Sequence, residues 1–210
     1  MPEVYIKIIN LETVDSTNSY AKGLIQKGAR EITIVKSREQ IQGRGRQGAH
    51  WESPKDKGLY LSFIFRPPNT IKEISSLQIV FAYAICRYLS RIVGARLKWP
   101  NDILIEDRKI CGILMESSTS RDTVEHLILG VGININSQKS EIPEHATSLF
   151  LETGEQYLLE AEFQKIAERI CIYYQAFKRG DEAQLLTLIK DYCQRNNQKD
   201  IVERIKTLEN

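Results

Sequence analysis

Between Gln40 and Trp51 the chain gathers three glycines and two arginines into Gly43-Arg44-Gly45-Arg46-Gln47-Gly48. Glycine costs about 1 kcal/mol against alanine inside a helix, so this run specifies a loop whose backbone can approach a ligand closely. Each guanidinium offers a planar fork of donors that fits carboxylate or phosphate oxygens and keeps its charge when partly buried. The chemistry predicted is anion clamping; the plainer alternative is a surface loop with solvated arginines. The spacing also satisfies G-x-G-x-x-G, but a dinucleotide site needs a helix opening at the last glycine to receive the pyrophosphate. Here the chain continues with Ala49-His50-Trp51-Glu52-Ser53-Pro54 and then an aromatic, apolar, strand-like stretch over 59–65, which argues against that fold.

Four further groups have side chains capable of chemistry. Asp15-Ser16-Thr17-Asn18 precedes Ala21, Leu24 and Ile25, and reads either as a helix N-cap or as a set of hydrogen-bonding groups for a ligand. Lys98-Trp99-Pro100-Asn101-Asp102 combines a cation and a carboxylate around a turn. Lys109 opens a strand just after Glu106-Asp107-Arg108. Gly130-Val131-Gly132-Ile133-Asn134 places glycines inside a strand, which marks either a bulge or a close approach by a ligand or another backbone.

The elements that position these groups follow from periodicity and breakers. Strands are expected over 4–11, 31–37 and 59–65, a hairpin over 103–105 and 109–116, and a strand over 124–135. Helices are expected over 16–26, stopped by Gly28, over 73–91, ended near Gly94 after a break at Pro67-Pro68-Asn69, and over 155–178 and 182–206. Strands first and helices last, with hairpin-like pairs, predict an α+β domain on a mixed, largely antiparallel sheet.

Composition bounds the partners. The 210 residues are 42% hydrophobic, enough for one core, and the net charge of +2 lacks the basic excess of a dedicated nucleic-acid binder. Cys86, Cys111, Cys171 and Cys193 form no C-x-x-C pair, and the N-terminus lacks a signal-like apolar run, so a reduced, cytoplasmic setting is expected. Apolar runs such as 79–85 fall short of the ~20 residues of a membrane span. The three histidines show no metal-ligand spacing.

In order along the chain, D-S-T-N, G-R-G-R-x-G-x-x-W, K-W-P-N-D, D-R-K-I-x-G-I-L-x-E and G-x-G-I-N resemble the biotin protein ligase family, over about 4–136. The resemblance implies a catalytic domain like that of class II aminoacyl-tRNA synthetases over 1–180, with 181–210 as a helical extension. Many members carry a small β-barrel there, and many begin with a DNA-binding domain, whereas this chain starts on a strand. It implies ATP activation of biotin to biotinyl-5'-AMP, with Mg²⁺, and transfer of biotin to a lysine of a biotin carboxyl carrier protein. No DNA partner is implied, and a homodimer is left open. Arg44, Arg46, Lys109 and Asp102 are the catalytic group by this resemblance. Ser16, Thr17, Asn18, Gln40, Arg44, Gly45, Arg46, Trp51, Lys109 and Gly112 would surround biotin, and Arg44, Arg46, Lys98, Asn101, Gly130, Gly132 and Asn134 would surround ATP. Asp102 would hold Mg²⁺ or take a proton from the incoming amine; a plain turn aspartate is the alternative. Trp51 would close over the ligand or simply pack. The usual second arginine is replaced by Gln47. A lipoate ligase on the same scaffold, or a non-catalytic nucleotide- or nucleic-acid-binding module, are the competing readings.

Overall fold

The structure, a computed structural model, describes residues 5–67, 71–121 and 123–209. Val4, expected to open the first strand, and Pro68 and Asn69, expected to break the pattern, lie outside these residues. The elements in chain order are β1 Lys7–Val14, α1 Thr17–Gln26, β2 Thr33–Gln40, β3 Gly58–Phe65, α2 Ile71–Val93, β4 Arg96–Lys98, β5 Asp102–Ile105, β6 Arg108–Ser120, β7 Thr123–Asn134, α3 Leu149–Thr153, α4 Leu159–Lys178, α5 Glu182–Arg195 and α6 Lys199–Glu209. The seven strands form one sheet in the order β1-β2-β3-β7-β6-β5-β4. Among the described residues β1 and β2 pair in parallel, joined through α1, and the other strand pairs are antiparallel, so the sheet is mixed and largely antiparallel, as the sequence predicts.

One face of the sheet carries the main core. Leu59, Leu61, Phe63 and Phe65 of β3 and Leu127, Leu129, Val131 and Ile133 of β7 meet α2, α4, α5 and α6 in a single cluster. Phe65 sits 5.1 Å from Phe81 and 4.2 Å from Tyr174, ring centre to ring centre, tying β3 to α2 and α4. The short apolar runs of the sequence merge within α2 into a window, Ile74–Val93, of mean hydropathy 1.2 that reaches the length of a membrane span. That window is 67% buried, the mark of a core helix. The expected helix over 182–206 is two helices, because Asn197 turns the chain at φ 55°. Leu186, Ile189, Ile201 and Ile205 from these two helices belong to the same cluster as the sheet, so the C-terminal stretch packs as part of the core.

The opposite face carries α1 and the glycine loop. Register sets what that face presents, since side chains alternate along each strand. Leu11, Ser37, Tyr60, Gly132, Gly112, Asp102 and Lys98 pair in one transverse row. The next row on this face holds Val35, Ser62, Gly130 and Leu114, and the one beyond it Thr33, Ile64, Ile128 and Glu116. Ala21 of α1 closes a small second core on Val35, Ile64 and Ile128.

A bulge places the lysine. β5 pairs Ile103 with Cys111 and then Leu104 with Lys109, so Ile110 is the extra residue on β6. An inserted residue reverses the alternation. Lys109 therefore emerges on the same face as Gly112, whose added Cβ would lie 3.2 Å from the Lys109 Cε.

Candidate active site

The glycine loop forms a tight hairpin. Trp51 N–H donates to the Gly43 carbonyl at 2.9 Å and Gly45 N–H to that of Ala49 at 2.7 Å, with a 3-10 turn over Arg46–Gly48 at its tip. Gly48 turns the chain at φ 79°, where a side chain is strained. Gly43 is required for a different reason: a Cβ there would stand 2.3 Å from the Trp51 carbonyl oxygen. No helix opens after Gly48, which disposes of the dinucleotide reading.

Beneath the loop lies a small cleft, open to solvent, lined by residues from the start of α1, the loop, β6 and β7. Ser16 stands at the N-cap position of α1 but makes no capping hydrogen bond. Its two successors are engaged elsewhere. Thr17 N–H donates to Gln40 Oε1 at 2.8 Å, and Gln40 Nε2 donates to Ser53 Oγ at 2.9 Å. Ser62, fully buried on β3, links Thr17 Oγ1 at 2.8 Å to Asn18 Oδ1 at 2.5 Å. Asn18 Oδ1 and Thr17 Oγ1 both stand as acceptors within reach of the single Ser62 hydrogen, while Thr17 Oγ1 donates its own to Gln40 Oε1 at 3.0 Å. The Asn18 amide nitrogen then donates to Glu116 Oε2 at 2.7 Å.

The glycines in β6 and β7 are seats for side chains. The β6–β7 register is regular through Gly130 and Gly132, so there is no bulge at those positions. A Cβ on Gly130 would meet Asn18 Oδ1 at 2.4 Å, and one on Gly132 would meet Trp51 Nε1 at 2.4 Å. The indole lies across Gly112 and Gly132, which face each other on the two strands. Trp51 Nε1 is buried with no acceptor among the described residues.

The cations converge from separate segments. Lys109 Nζ stands 2.6 Å from Asp102 Oδ1, an ion pair whose angle is not that of a hydrogen bond, and 5.3 Å from the centre of the Trp51 ring. Arg44 reaches Glu116 Oε2 at 3.1 Å, and Arg46 Nη1 donates to Asn101 Oδ1 at 3.2 Å. Burial works to raise the Glu116 carboxyl, but the hydrogen bonds from Asn18 and Lys22 and the charge of Arg44 outweigh it and hold the group below its ordinary value. Burial, helped by the nearby Asp102 charge and opposed by Lys109, pushes the Cys111 thiol up, so it remains an uncharged core group.

Of the residues expected at the site, Ser16, Thr17, Asn18, Gln40, Arg44, Gly45, Trp51, Asn101, Lys109, Gly112, Gly130 and Gly132 line this one cleft. Asp102 reaches it through Lys109 and Arg46 through Asn101, while Lys98 is exposed at the sheet edge beside Asp102. Asn134, expected at the adenine, does not line this cleft. The residue is 3% exposed and its side chain donates to the Thr147 carbonyl at 2.9 Å. Thr147 N–H in turn donates to the Lys109 carbonyl, and Lys109 N–H to that of His145, both at 2.9 Å. Asn134 thus fastens the strap that holds the Lys109 backbone at the bulge. Glu116 and Ser62 are the polar residues missed. Each breaks an apolar strand on the face defined by Gly112 or Gly130, and that alternation is the signal that could have found them.

An open, largely antiparallel sheet carries helices on one face and, on the other, a polar cleft under a cationic glycine loop, the architecture of an α+β domain. Residues 11–134 match the model of the biotin/lipoate A/B protein ligase family, and the chain belongs to that family. The biotin protein ligase from Aquifex aeolicus, solved in complex with biotin and ATP, superposes with a TM-score of 0.75 at 31% identity, over 88% of this chain and 77% of that one. The bifunctional ligase/repressor BirA of Bacillus subtilis is 35% identical over 154 residues, 70% of this chain and 47% of the relative. The biotin–[acetyl-CoA-carboxylase] ligase of Paracoccus denitrificans is 37% identical over 129 residues, 60% and 53% of the two chains. The chain spans about half the length of these curated relatives.

Proposed function

We propose that the protein uses ATP to activate biotin as biotinyl-5'-AMP and transfers the biotinyl group to a lysine of a biotin carboxyl carrier protein. The observation that carries this reading is the convergence, in one cleft, of neutral hydrogen-bonding groups from Ser16 to Gln40 with the cations Arg44 and Lys109, from segments far apart in the chain. A ligand that is amide-like at one end and anionic at the other satisfies both sets, as biotin does with its ureido ring and carboxylate. The family also handles lipoate, but a dithiolane would leave buried hydrogen-bonding groups unpaired, and sites of this kind reject such analogues strongly.

Carboxylate attack on the α-phosphate brings two anions together. Lys109, held by Asp102 and by the strap at its backbone, and Arg44 supply positive charge where negative charge develops. The orphaned Trp51 N–H is a donor that a ligand oxygen would satisfy, and the indole shields the cleft floor from water. Among the described residues no three His, Cys, Asp or Glu side chains converge. Mg²⁺ would arrive with the ATP phosphates, and Asp102, here paired with Lys109, is the carboxylate that would meet it. The acceptor is proposed from the name of the Paracoccus relative, which specifies acetyl-CoA carboxylase.

Biotin-dependent exchange of pyrophosphate into ATP tests the reading, with lipoate as the control. Exchange with biotin and none with lipoate is expected. Exchange driven by lipoate would transfer the proposal to the family's other branch, and exchange with neither would refute it.

A further inference from the structure

Glu116 lies one row beyond the cleft floor on the ligand face of β6, and it gathers three donors from two different elements. Its Oε2 accepts from Asn18 Nδ2 at 2.7 Å and from Arg44 Nη2 at 3.1 Å, while Oε1 pairs with Lys22 Nζ at 3.2 Å. The Glu116 side chain is 22% exposed, against 41% for Arg44 and 55% for Lys22, so the carboxylate is the sheltered member of the group.

These contacts complete a continuous chain. From Ser53, just past the loop, it runs through Gln40, Thr17, Ser62 and Asn18 to Glu116, and from Glu116 to Arg44 inside the loop. Both ends of the glycine loop are thereby fastened to the same polar network under the pocket. The donor count leaves little slack. Asn18 faces two acceptors, the Leu114 carbonyl and Glu116, on one side and a hydroxyl donor on the other, so its amide has a single satisfied orientation. Gly130 leaves it no room to shift toward β7.

We propose that Glu116 is a positioning residue for the biotin-binding cleft: its carboxylate fixes the orientation of the Asn18 amide and holds Arg44 of the glycine loop in the site. It touches no reacting atom. Its charge sets where the Arg44 guanidinium waits, and its hydrogen bond sets which end of Asn18 faces the Ser62 hydroxyl. The loop-holding part stands on geometry alone; the part that concerns biotin rests on the ligase reading.

The experiment has one arm free of ligand and one with biotin. Amide hydrogen exchange over residues 43–51 is measured on the ligand-free parent, Glu116→Gln, Arg44→Ala and the double variant. Losing one partly exposed charge-assisted contact should speed loop exchange by roughly tenfold in Glu116→Gln, with no further gain in the double variant. Biotin titrated calorimetrically should bind Glu116→Gln about tenfold more weakly than parent, with Glu116→Asp, which keeps the charge, restoring part of the loss. Lys22→Met, which removes only the outer partner, should change neither readout. Parental loop exchange in Glu116→Gln, or effects of Glu116→Gln and Arg44→Ala that multiply independently, would overturn the proposal. So would Glu116→Gln and Glu116→Asp losing melting temperature alike with no selective change in the loop, because that result describes a fold-supporting residue. A parent that binds no biotin would refute the ligase reading, and the ligand-free exchange would still decide whether Glu116 holds the loop.

Discussion

Alanine at Gly130 or Gly132 adds one methyl group to a strand, yet the two should behave differently. At Gly130 the new Cβ falls 2.4 Å from Asn18 Oδ1, about 1 Å inside the 3.4 Å at which ordinary contact begins. Asn18 cannot yield, since Ser62 holds its oxygen and Glu116 its nitrogen, and only 3% of the residue is exposed. Overpacking of this kind costs about 1–3 kcal/mol, and breaking one of the two hydrogen bonds adds about 0.5–1.5 kcal/mol. For a chain of this size, where 1 kcal/mol corresponds to about 2–4 °C, the melting temperature of Gly130→Ala should fall by roughly 5–10 °C. At Gly132 the methyl meets the Trp51 indole, 2.4 Å from Nε1 and 2.5 Å from Cε2. Trp51 stands at the end of the glycine loop, so the ring can swing out with it. Gly132→Ala should lose no more than ~1 kcal/mol of stability while shifting the tryptophan emission to the red and weakening biotin binding at least tenfold. Thermal melts, emission spectra and biotin titration on the two variants settle the matter. A Gly130→Ala protein that melts with the parent, or a Gly132→Ala protein with parental emission, would show that these glycines are not seats for Asn18 and Trp51.

Lys109→Ala should leave the fold in place and cut biotin-dependent pyrophosphate exchange on the order of 10²–10³-fold, because the cation at the point of attack is removed; near-parental exchange would end its catalytic assignment. Arg44→Ala should release biotinyl-AMP into solution, detected as label on bystander lysines, and unchanged release would count against the clamp. Asn134→Ala leaves the fully buried Thr147 carbonyl without its partner, a loss of about 1–3 kcal/mol in urea unfolding, with a drop in exchange activity as the strap at Lys109 loosens. If activity falls with no loss of stability, Asn134 acts on the ligand instead. The depressed Glu116 carboxyl contributes stability that is fully present above its unfolded value near 4.5 and is lost as pH falls through the lower folded value. The acid limb of melting temperature against pH should therefore be shallower in Glu116→Gln than in the parent, and superimposable limbs would refute that linkage.

Local chemistry made much of this protein legible from its residues. Three glycines within six positions cannot sustain a helix, the alternation and β-branched content of the strands marked most of the sheet, and the ordered motifs pointed to the biotin ligase family. Which groups each site residue touches depends on contacts between distant segments. Ser16 to Asn18 look like a helix cap because nothing nearby shows that Gln40 and Ser62 will claim Thr17, or that Glu116, 98 positions away, will claim Asn18. The glycines of β6 and β7 announce close approach, but strand register and the course of the loop decide that Asn18 and Trp51 are what approaches. Lys109 faces the cleft because a single residue bulges at Ile110, an offset visible only against the β5 partner. The Asn134 amide is taken up by the Thr147 carbonyl, which must be paired once it is buried. Periodicity tells which face of its own strand a residue occupies; which donor or acceptor waits on that face depends on how strands far apart in the chain are set side by side, and that is a property of the packed sheet.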